Sequence, residues 1–309
     1  MTQMKVWLDA DPGVDDAAAI ILAAKMPEIE LVGVSACAGN VELFYTYENA
    51  RNLVAYTGLD VPVYKGADRP LLAEPHYARE IHGKNGLGGQ TLPVSTAGHE
   101  ELPAWDAIYR AACANQGELI VVMIGPLTNL AVALLKYADL KGKIKRVVLM
   151  GGAVSYGNTT PAAEFNIYFD PEAADIVFSA GLDISMLGLD VTLQAYLDEP
   201  AIDKIQAVNE QGAFMAGSMR QTLNWAKKLY NLDFVAMHDP CTFLYLVYPD
   251  LFRSEMAGVK IETKGKLTRG KTVSDVYSDY KFEDRTVDVV LGIDHKRFFD
   301  CFLEILGRY

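Results

Sequence analysis

Short apolar runs and longer helical patterns alternate through the first two-thirds of this chain, and this alternation restricts the fold more than any other feature. The strand candidates are Val6–Asp9, Leu31–Ala36, Val61–Tyr64, Leu119–Ile124, Val147–Met150 and Ile184–Gly188. The helical patterns between them are Asp15–Lys25, Tyr45–Thr57, Ala104–Asn115, Asn129–Tyr137 and Pro171–Ser179. The strand candidates are apolar throughout, as expected of strands that helices cover on both faces of a parallel sheet. Repeated βαβ units of this kind predict an α/β fold.

The pattern changes after residue 200. A mainly helical stretch is predicted from Ile202 to Tyr230, and another helix begins near Asp239. An antiparallel meander at the sheet edge and a closing helix follow, over Ala257–Thr263, Ser274–Ser278, Val287–Leu291 and then Lys296–Leu306. We therefore expect a mainly parallel, open twisted sheet with helices on both faces (a Rossmann-like core), a small antiparallel edge and a helical C-terminal region. The whole chain, residues 1–309, is expected to form one domain.

The charge and the cysteines exclude several classes of protein. The formal net charge of −12 disfavours nucleic acid as a partner. No apolar run approaches the roughly 20 residues that span a bilayer, and the N-terminus lacks the layout of a signal peptide. The four cysteines form no CxxC pair, which favours buried thiols over zinc ligands or disulfides. We expect a cytoplasmic protein with no membrane partner.

Four aspartates, Asp9, Asp11, Asp15 and Asp16, lie close together at the end of the first predicted strand. A Pro-Gly pair predicts a turn after Asp11, and Asp15 and Asp16 then open a helix, where the helix dipole favours acidic residues. The dipole does not account for all four carboxylates, because their mutual repulsion is costly without a cation. Oxygen ligands of this kind suit Ca²⁺ or Mg²⁺. The cluster therefore predicts a metal site.

Further candidates follow other predicted strands, and in open α/β sheets the site lies beyond the carboxyl ends of the strands. The pair His238-Asp239 precedes Pro240 at the start of a late helix, where Asp239 is either a helix cap or a distant ligand of the metal site. Thr128 either caps the helix that begins at Asn129 or turns its carbonyl or hydroxyl toward the shared cleft.

A polar, Gly-rich loop after Met150 carries Asn158, Glu164 and Asn166, which can hydrogen-bond hydroxyl groups. No Lys or Arg lies in this loop, so a neutral, hydroxyl-rich substrate fits better than a phosphorylated one. His82 lies in a Gly-rich stretch that is either a mobile lid or an ordinary surface loop. His76, His99 and His295 have no comparable setting and are expected to be surface residues.

Taken together, these motifs resemble the nucleoside hydrolases, the inosine–uridine-preferring nucleoside N-ribohydrolase family. The resemblance covers essentially the whole chain. Its motifs are the segment from Asp9 to Asp16, Gly39-Asn40, Ile81-His82-Gly83, Gly125-Pro126-Leu127-Thr128-Asn129, Met150-Gly151-Gly152, Gly157-Asn158, Glu164-Phe165-Asn166 and His238-Asp239.

The resemblance implies hydrolysis of the N-glycosidic bond of ribonucleosides to free base and ribose, with a role in nucleoside salvage. It implies a Ca²⁺ ion held by Asp11, Asp16, the main-chain carbonyl of Thr128, and Asp239. Asp11 would also be the general base that deprotonates the water on the metal, while Asp9 would support its neighbours. The implied ribose contacts are Asp15, Asn40, Asn158, Glu164 and Asn166, with Met150 beneath the sugar.

The transition state is expected to resemble an oxocarbenium ion, and departure of the base needs a proton or hydrogen-bond donor. His238 and His82 are the two candidates for that donor. Tyr230 or Phe234 would stack on the base, although helix packing explains these aromatic residues nearly as well. Uridine and inosine are the expected substrates, with cytidine as a further candidate, and the family suggests a homodimer or homotetramer.

Two other functions compete with this interpretation. A haloacid-dehalogenase-like metal phosphatase fits Asp9 and Asp11, but the Pro-Gly pair that follows does not suit it and the second acidic pair comes too early. A non-catalytic, Ca²⁺-dependent nucleoside- or sugar-binding protein would use the same types of residue as the enzyme.

Overall fold

The computed structural model describes residues 3–309, apart from the side chains of Leu229 and Tyr230. Its strands are β1 (Met4–Ala10), β2 (Ile29–Ala36), β3 (Val63–Lys65), β4 (Leu119–Met123), β5 (Ile144–Met150), β6 (Ile184–Leu187), β7 (Tyr196–Asp198), β8 (Phe234–Ala236), β9 (Phe252–Ala257), β10 (Val259–Ile261), β11 (Thr272–Ser274) and β12 (Val287–Ile293).

The helices lie mainly between the strands of the sheet. They are α1 (Val14–Ala23), α2 (Leu43–Thr57), α3 (Arg79–His82), α4 (Ala104–Ala114), α5 (Thr128–Lys136), α6 (Phe165–Phe169), α7 (Pro171–Ser179), α8 (Leu189–Thr192), α9 (Glu199–Gln206), α10 (Glu210–Tyr230), α11 (Pro240–Val247) and α12 (His295–Leu306). Among the residues described, none of these helices is long and apolar enough to cross a membrane.

Eight strands form the central sheet in the order β3-β2-β1-β4-β5-β6-β12-β9. Neighbouring strands are parallel except for β9, which pairs with β12 in the antiparallel direction. Side chains alternate along β1, so that Val6 and Leu8 pack into the core on one face and Trp7 into the core on the other. The predicted mainly parallel sheet with helices on both faces is confirmed.

The three segments predicted as an antiparallel meander do not form one. Val287–Ile293 lies inside the central sheet, parallel to β6, while β10 and β11 form a separate two-stranded sheet. The antiparallel edge strand is β9, which was not predicted because four of its six residues are exposed and it has no apolar pattern. β7 and β8 form another small antiparallel sheet.

The strand order reverses between β1 and β4. From β1 the chain continues to β2 and β3 on one side, and from β4 it continues to β5 and β6 on the other. The loops that follow β1 and β4 therefore diverge and leave a crevice at the carboxyl edge of the sheet, where ligands of such folds bind. The aspartate cluster follows β1, and the segment from Gly125 to Thr128 follows β4.

Removal of a buried ring from α12 should destabilise the whole fold. Phe302 is fully buried, and its ring centroid lies 6.3 Å from that of Phe298. We expect Phe302→Ala to lower the free energy of unfolding by about 3–5 kcal/mol because it leaves a cavity. Urea denaturation followed by circular dichroism measures the change. The control is Phe44→Ala, whose side chain is 69% exposed and should change stability by about 0.5 kcal/mol or less. Equal effects of the two substitutions would contradict the packing of α12.

Candidate functional site at the carboxyl edge of the sheet

Three carboxylates meet in the crevice. Asp15, Asp16 and Asp239 each place a ligand oxygen within 4.8 Å of the others. Asp15 and Asp16 lie in the first turn of α1, and Asp239 directly precedes α11 without making a capping bond to that helix. Burial and the neighbouring charges raise the pKa of Asp16 to about 7 and hold the pKa of Asp239 well above its ordinary value. A cation would relieve this repulsion, so the cluster can hold a metal ion.

Asp11 lies just beyond β1 and is fully buried. Its Oδ2 accepts the backbone N–H of Asn40 at 2.6 Å, whereas its Oδ1 has no hydrogen-bond partner among the described residues. Burial, followed by the charge of Asp16, raises the pKa of Asp11. A buried carboxylate oxygen without a partner is costly unless a ligand, an ion or a proton occupies it. Asp11 Oδ1 is therefore an oxygen open to a cation.

Two glycines make room for the Asp11 carboxylate. A Cβ atom on Gly39, in the loop after β2, would overlap Asp11 Oδ2. A Cβ atom on Gly125, in the loop after β4, would lie 2.7 Å from Asp11 Oδ1. The loops that follow β2 and β4 therefore both pack against the Asp11 carboxylate, which follows β1.

Asp16 also shapes the turn before α1. Its carboxylate accepts the backbone N–H groups of Asp11 at 3.1 Å and Gly13 at 2.9 Å. The Asn40 side-chain amide donates to Asp16 Oδ2 at 3.2 Å and to the carbonyl of Asp11 at 3.1 Å. Asp16 therefore caps the N-terminus of α1 as well as belonging to the acidic cluster.

Asp9 makes its hydrogen bonds outside that cluster, through Oδ2, while its Oδ1, like that of Asp11, has no partner among the described residues. It accepts hydrogen bonds from the Ser35 hydroxyl and, at 2.8 Å, from the Asn129 side chain. Asn129 Oδ1 in turn accepts the backbone N–H of Ala67 at 2.8 Å. Burial raises the pKa of Asp9 to about 7. Asp9 therefore links β1 to β2 and α5, which is a structural role.

Thr128 is buried at the first position of α5, and its hydroxyl donates to Asp170 Oδ2 at 2.7 Å. The residue before it, Leu127, occupies the capping position, so Thr128 is not the helix cap. With its hydroxyl engaged by Asp170, the main-chain carbonyl is the oxygen of Thr128 left as a candidate metal ligand.

The two predicted histidines lie on the wall of the same cavity. His82 Nδ1 accepts the backbone N–H of Val14 at 3.1 Å, so the neutral ring carries its proton on Nε2. His238 Nδ1 lies 2.7 Å from the hydroxyl of Thr192, at the end of α8. Burial lowers the pKa of both rings. Both histidines can therefore be neutral hydrogen-bonding groups in the cavity.

The amide-rich loop after β5 forms another wall. Glu164 is buried and accepts the backbone N–H groups of Gly152 at 2.9 Å, Asn166 at 2.9 Å and Ile167 at 3.2 Å. Burial raises its pKa to about 7. The Asn166 side chain donates to the carbonyl groups of Ile124 at 3.0 Å and Met150 at 3.1 Å, which joins the ends of β4 and β5.

A cavity of about 800 Å³ contains most of the predicted site residues. Those on its wall are Asp15, Asn40, His82, Met150, Asn158, Glu164, Asn166, Phe234, His238 and Asp239. Asp11, Asp16 and Thr128 are not wall residues. Tyr230, which was predicted to stack on a ligand, lies outside the described side chains.

Several wall residues were not predicted. His76, expected as an ordinary surface residue, is exposed but lies on the wall, and Tyr156, Thr222, Trp225 and Leu232 join it there. No sequence signal identified them, because each belongs to an irregular loop or to a long helix with an ordinary pattern. Thr192, the partner of His238, lies in the four-residue helix α8 and was missed because it is 46 residues from His238 in the sequence.

Comparisons with known proteins agree with this geometry. A sequence model of the family described as "Inosine-uridine preferring nucleoside hydrolase" matches residues 6–300. The chain is 40% identical over 307 residues to the pyrimidine-specific ribonucleoside hydrolase RihA of Shewanella sp. strain MR-7, covering 98% of this chain and 96% of that protein. It is 36% identical over 310 residues to RihA of Escherichia coli O6:K15:H31, covering 99% of both.

Solved structures of nucleoside hydrolases also have a fold similar to that of this chain. A plant nucleoside hydrolase superposes with a TM-score of 0.92 at 31% identity, covering 98% of this chain and 99% of that one. A purine-preferring ribonucleoside hydrolase from Gardnerella vaginalis superposes with a TM-score of 0.91 at 34% identity, covering 98% of both chains.

A methyl group on Gly125 should disturb cation binding. Gly125→Ala places Cβ 2.7 Å from Asp11 Oδ1, so the carboxylate must move. We expect the affinity for a divalent cation, probed with Ca²⁺ by calorimetric titration, to fall by about 10- to 100-fold. The control is Gly142→Ala, whose Cβ meets no atom within 4 Å and should leave the affinity unchanged. Unchanged affinity in Gly125→Ala would show that Asp11 does not contribute to cation binding.

Proposed function

This chain belongs to the inosine-uridine preferring nucleoside hydrolase family and hydrolyses the N-glycosidic bond of ribonucleosides, and we propose that Asp11 is its general base beside a Ca²⁺ ion. The observation that carries this proposal is the buried Asp11 Oδ1, which has no partner among the described residues and belongs to a carboxylate whose pKa is raised by burial and by the charges of Asp16 and Asp15.

The donor set fits a hard divalent cation, because it consists of carboxylate and carbonyl oxygens. We assign Asp11, Asp16, Asp239 and the main-chain carbonyl of Thr128 as the residues that would hold Ca²⁺. When bound, such an ion acidifies and orients a water molecule for attack. Asp15 lies on the cavity wall within the same acidic group, and we assign it to the ribose hydroxyls.

Asp11 is suited to accept a proton from the attacking water. Its Oδ2 is held by Asn40 and by the close approach of Gly39, which fixes the plane of the carboxylate. Its other oxygen, Oδ1, has no hydrogen-bond partner among the described residues, and we assign to it both the cation and, through its second lone pair, the proton of the attacking water. Pre-set geometry of this kind is what a general base contributes.

We assign the ribose to the acidic and amide-rich side of the cavity. Asp15, Asn40, Asn158, Glu164 and Asn166 would bind its hydroxyls, with Met150 beneath the ring. The carboxylates on this side would also stabilise the positive charge that develops on the sugar in an oxocarbenium-like transition state. Within the described residues the cavity wall contains no Lys or Arg, which disfavours a phosphorylated substrate and hence the phosphatase alternative.

The two histidines are assigned different functions at the base. Protonation of His82 at Nδ1 would break its bond from Val14 N–H, so we assign His82 as a neutral donor from Nε2 to a carbonyl oxygen of the base. We then assign His238, in its protonated imidazolium form, as the proton donor to the departing base, with Thr192 orienting its ring through Nδ1. Phe234 and Tyr230 are assigned to stacking on the base.

Uridine and inosine both offer a carbonyl acceptor, and we propose them as substrates, with cytidine as a further candidate. The cytoplasmic location and the dimeric or tetrameric assembly stay predictions of the sequence.

Substitution of the general base should abolish turnover. We expect Asp11→Asn to reduce kcat/KM for uridine by at least about 10³-fold, because the amide cannot accept the proton. Release of reducing sugar from uridine, inosine, cytidine, adenosine and guanosine, with and without a chelator, measures the activity. The control is Asp68→Asn, an exposed carboxylate.

Three outcomes of this assay would contradict the proposal in different ways. Full activity of Asp11→Asn would exclude Asp11 as the base. Activity that survives complete removal of metal would exclude the cation. Tight binding of nucleosides by the parent protein without turnover would identify a binding protein.

The assignment of the proton donor predicts a dependence on the leaving group. With His238→Ala, kcat for uridine should fall by about 10²–10⁴-fold, because uracil leaves poorly without a proton. Hydrolysis of 4-nitrophenyl riboside should change little, since 4-nitrophenolate leaves unaided. His82→Ala should reduce kcat for uridine less than His238→Ala does. An equal loss on both substrates in His238→Ala would exclude this residue as the acid.

A further inference from the structure

The segment Ala153–Ser155 connects β5 to the part of the cavity wall that contains Asn158. Lys271, which precedes β11, donates from Nζ to three successive carbonyl oxygens of this segment. The distances are 2.9 Å to Ala153, 2.8 Å to Val154 and 2.9 Å to Ser155. An ammonium group has three N–H donors, so all the donors of Lys271 are used here.

The backbone N–H groups of the same segment are bonded as well. The Asp190 carboxylate accepts from Val154 at 2.6 Å and from Ser155 at 3.0 Å. The Thr272 hydroxyl accepts the N–H of Ala153 at 2.8 Å and donates to its carbonyl at 2.7 Å. Side chains from elsewhere in the chain therefore satisfy every N–H and C=O group of Ala153, Val154 and Ser155.

This arrangement matters because the segment has no secondary structure of its own. Loops held by few contacts are mobile and exchange their amide hydrogens quickly. Here Gly152 has a φ of +77°, and a Cβ atom on it would lie 2.6 Å from Thr272 Cγ2. The segment is thus packed against β11 on one side and bonded to Asp190 through its N–H groups, with little freedom to shift.

The ribose side of the cavity depends on where this segment lies. Met150 precedes it by three residues, and Asn158 follows it by three. Asn158 Oδ1 accepts the backbone N–H of Phe165 at 3.0 Å, next to Glu164. Lys271 itself is not on the cavity wall, so any effect it has on the substrate must pass through the backbone it holds.

We propose that Lys271 is a positioning residue for the ribose-binding wall, acting through the backbone carbonyls of Ala153, Val154 and Ser155. The proposal rests on the ribose assignment of the proposed function. Loss of the Lys271 ammonium group should weaken binding of the ribose part of any nucleoside. The loss should affect uridine and inosine equally, because in the proposed function neither base contacts this wall.

The test compares Lys271→Met with a matched control, Lys281→Met. Lys281 also donates to backbone carbonyls, at 2.6 Å from Asp275 and 3.5 Å from Val276, but outside the loop and the cavity wall. We expect Lys271→Met to raise KM for both uridine and inosine by about tenfold, with a smaller change in kcat, because three hydrogen bonds are lost. Lys281→Met should leave KM within about twofold of the parent.

A double-mutant cycle separates positioning from general destabilisation. If Lys271 acts through the loop, Lys271→Met should change kcat/KM much less in an Asn158→Ala background than in the parent. In a Phe234→Ala background, at the base end of the cavity, the two effects should add. Additive effects in both backgrounds would overturn the proposal.

Hydrogen exchange gives a readout that does not need activity. The peptide covering residues 151–160 should exchange faster in Lys271→Met than in the parent or in Lys281→Met. If Lys271→Met does not fold, Lys271→Gln, which retains two donors, takes its place in every measurement with a smaller expected effect.

Unchanged exchange together with an unchanged KM would overturn the proposal. A parent protein that hydrolyses no ribonucleoside would instead contradict the proposed function, while the exchange result would still report on the loop.

Discussion

Carboxylates buried side by side repel one another, and the crevice between β1 and β4 is organised around that repulsion. Asp11, Asp16 and Asp239 are at most 2% exposed, and the pKa of each is raised by burial and by neighbouring charges. The fold reduces the repulsion only in part, with backbone N–H groups directed at Asp11 and Asp16. What remains favours binding of a cation at this point of the sheet. The capacity of the site to bind a cation therefore depends on the positions of the carboxylates at the carboxyl ends of the strands.

The reversal of strand order brings chemically different groups to the wall of one cavity. The loops after β1, β4 and β5 contribute oxygen-rich groups, such as Asp15, Glu164 and Asn166. His82 and His238 come from segments far apart in the sequence and supply ring nitrogens. This combination suits the proposed reaction, in which positive charge develops on a sugar while a base departs.

The parts of the fold that could be predicted are those whose signal is local. β1, β2, β4, β5 and β6 were identified because strands covered on both faces are largely apolar. The edge strand β3 was identified because the residues before it are also apolar. The aspartate cluster was identified because its members are close in sequence. β9 was missed because an exposed edge strand has no such pattern, and β12 was assigned to the wrong neighbours because pairing is decided by distant contacts. The bonds of Thr192 to His238, and of Lys271 to Ala153, join residues 46 and 118 positions apart. Neither residue type nor spacing indicates such contacts.

Side chains distant in the sequence hold the backbone of Ala153–Ser155 in place, and this affects how the segment can evolve. The hydrogen bonds of Lys271 and Asp190 to Val154 and Ser155 are made to main-chain atoms, so these bonds do not depend on which side chains the two residues carry. Its sequence can diverge among descendants while the path of the backbone is preserved. Variation in the neighbouring wall residues, such as the exposed Tyr156, can then be explored without loss of the loop conformation. In this wall, residues distant in the sequence hold the backbone, whereas the side chains next to the segment line the cavity. These side chains can therefore be changed, in evolution or by protein engineering, to accept new substrates while the backbone stays in place.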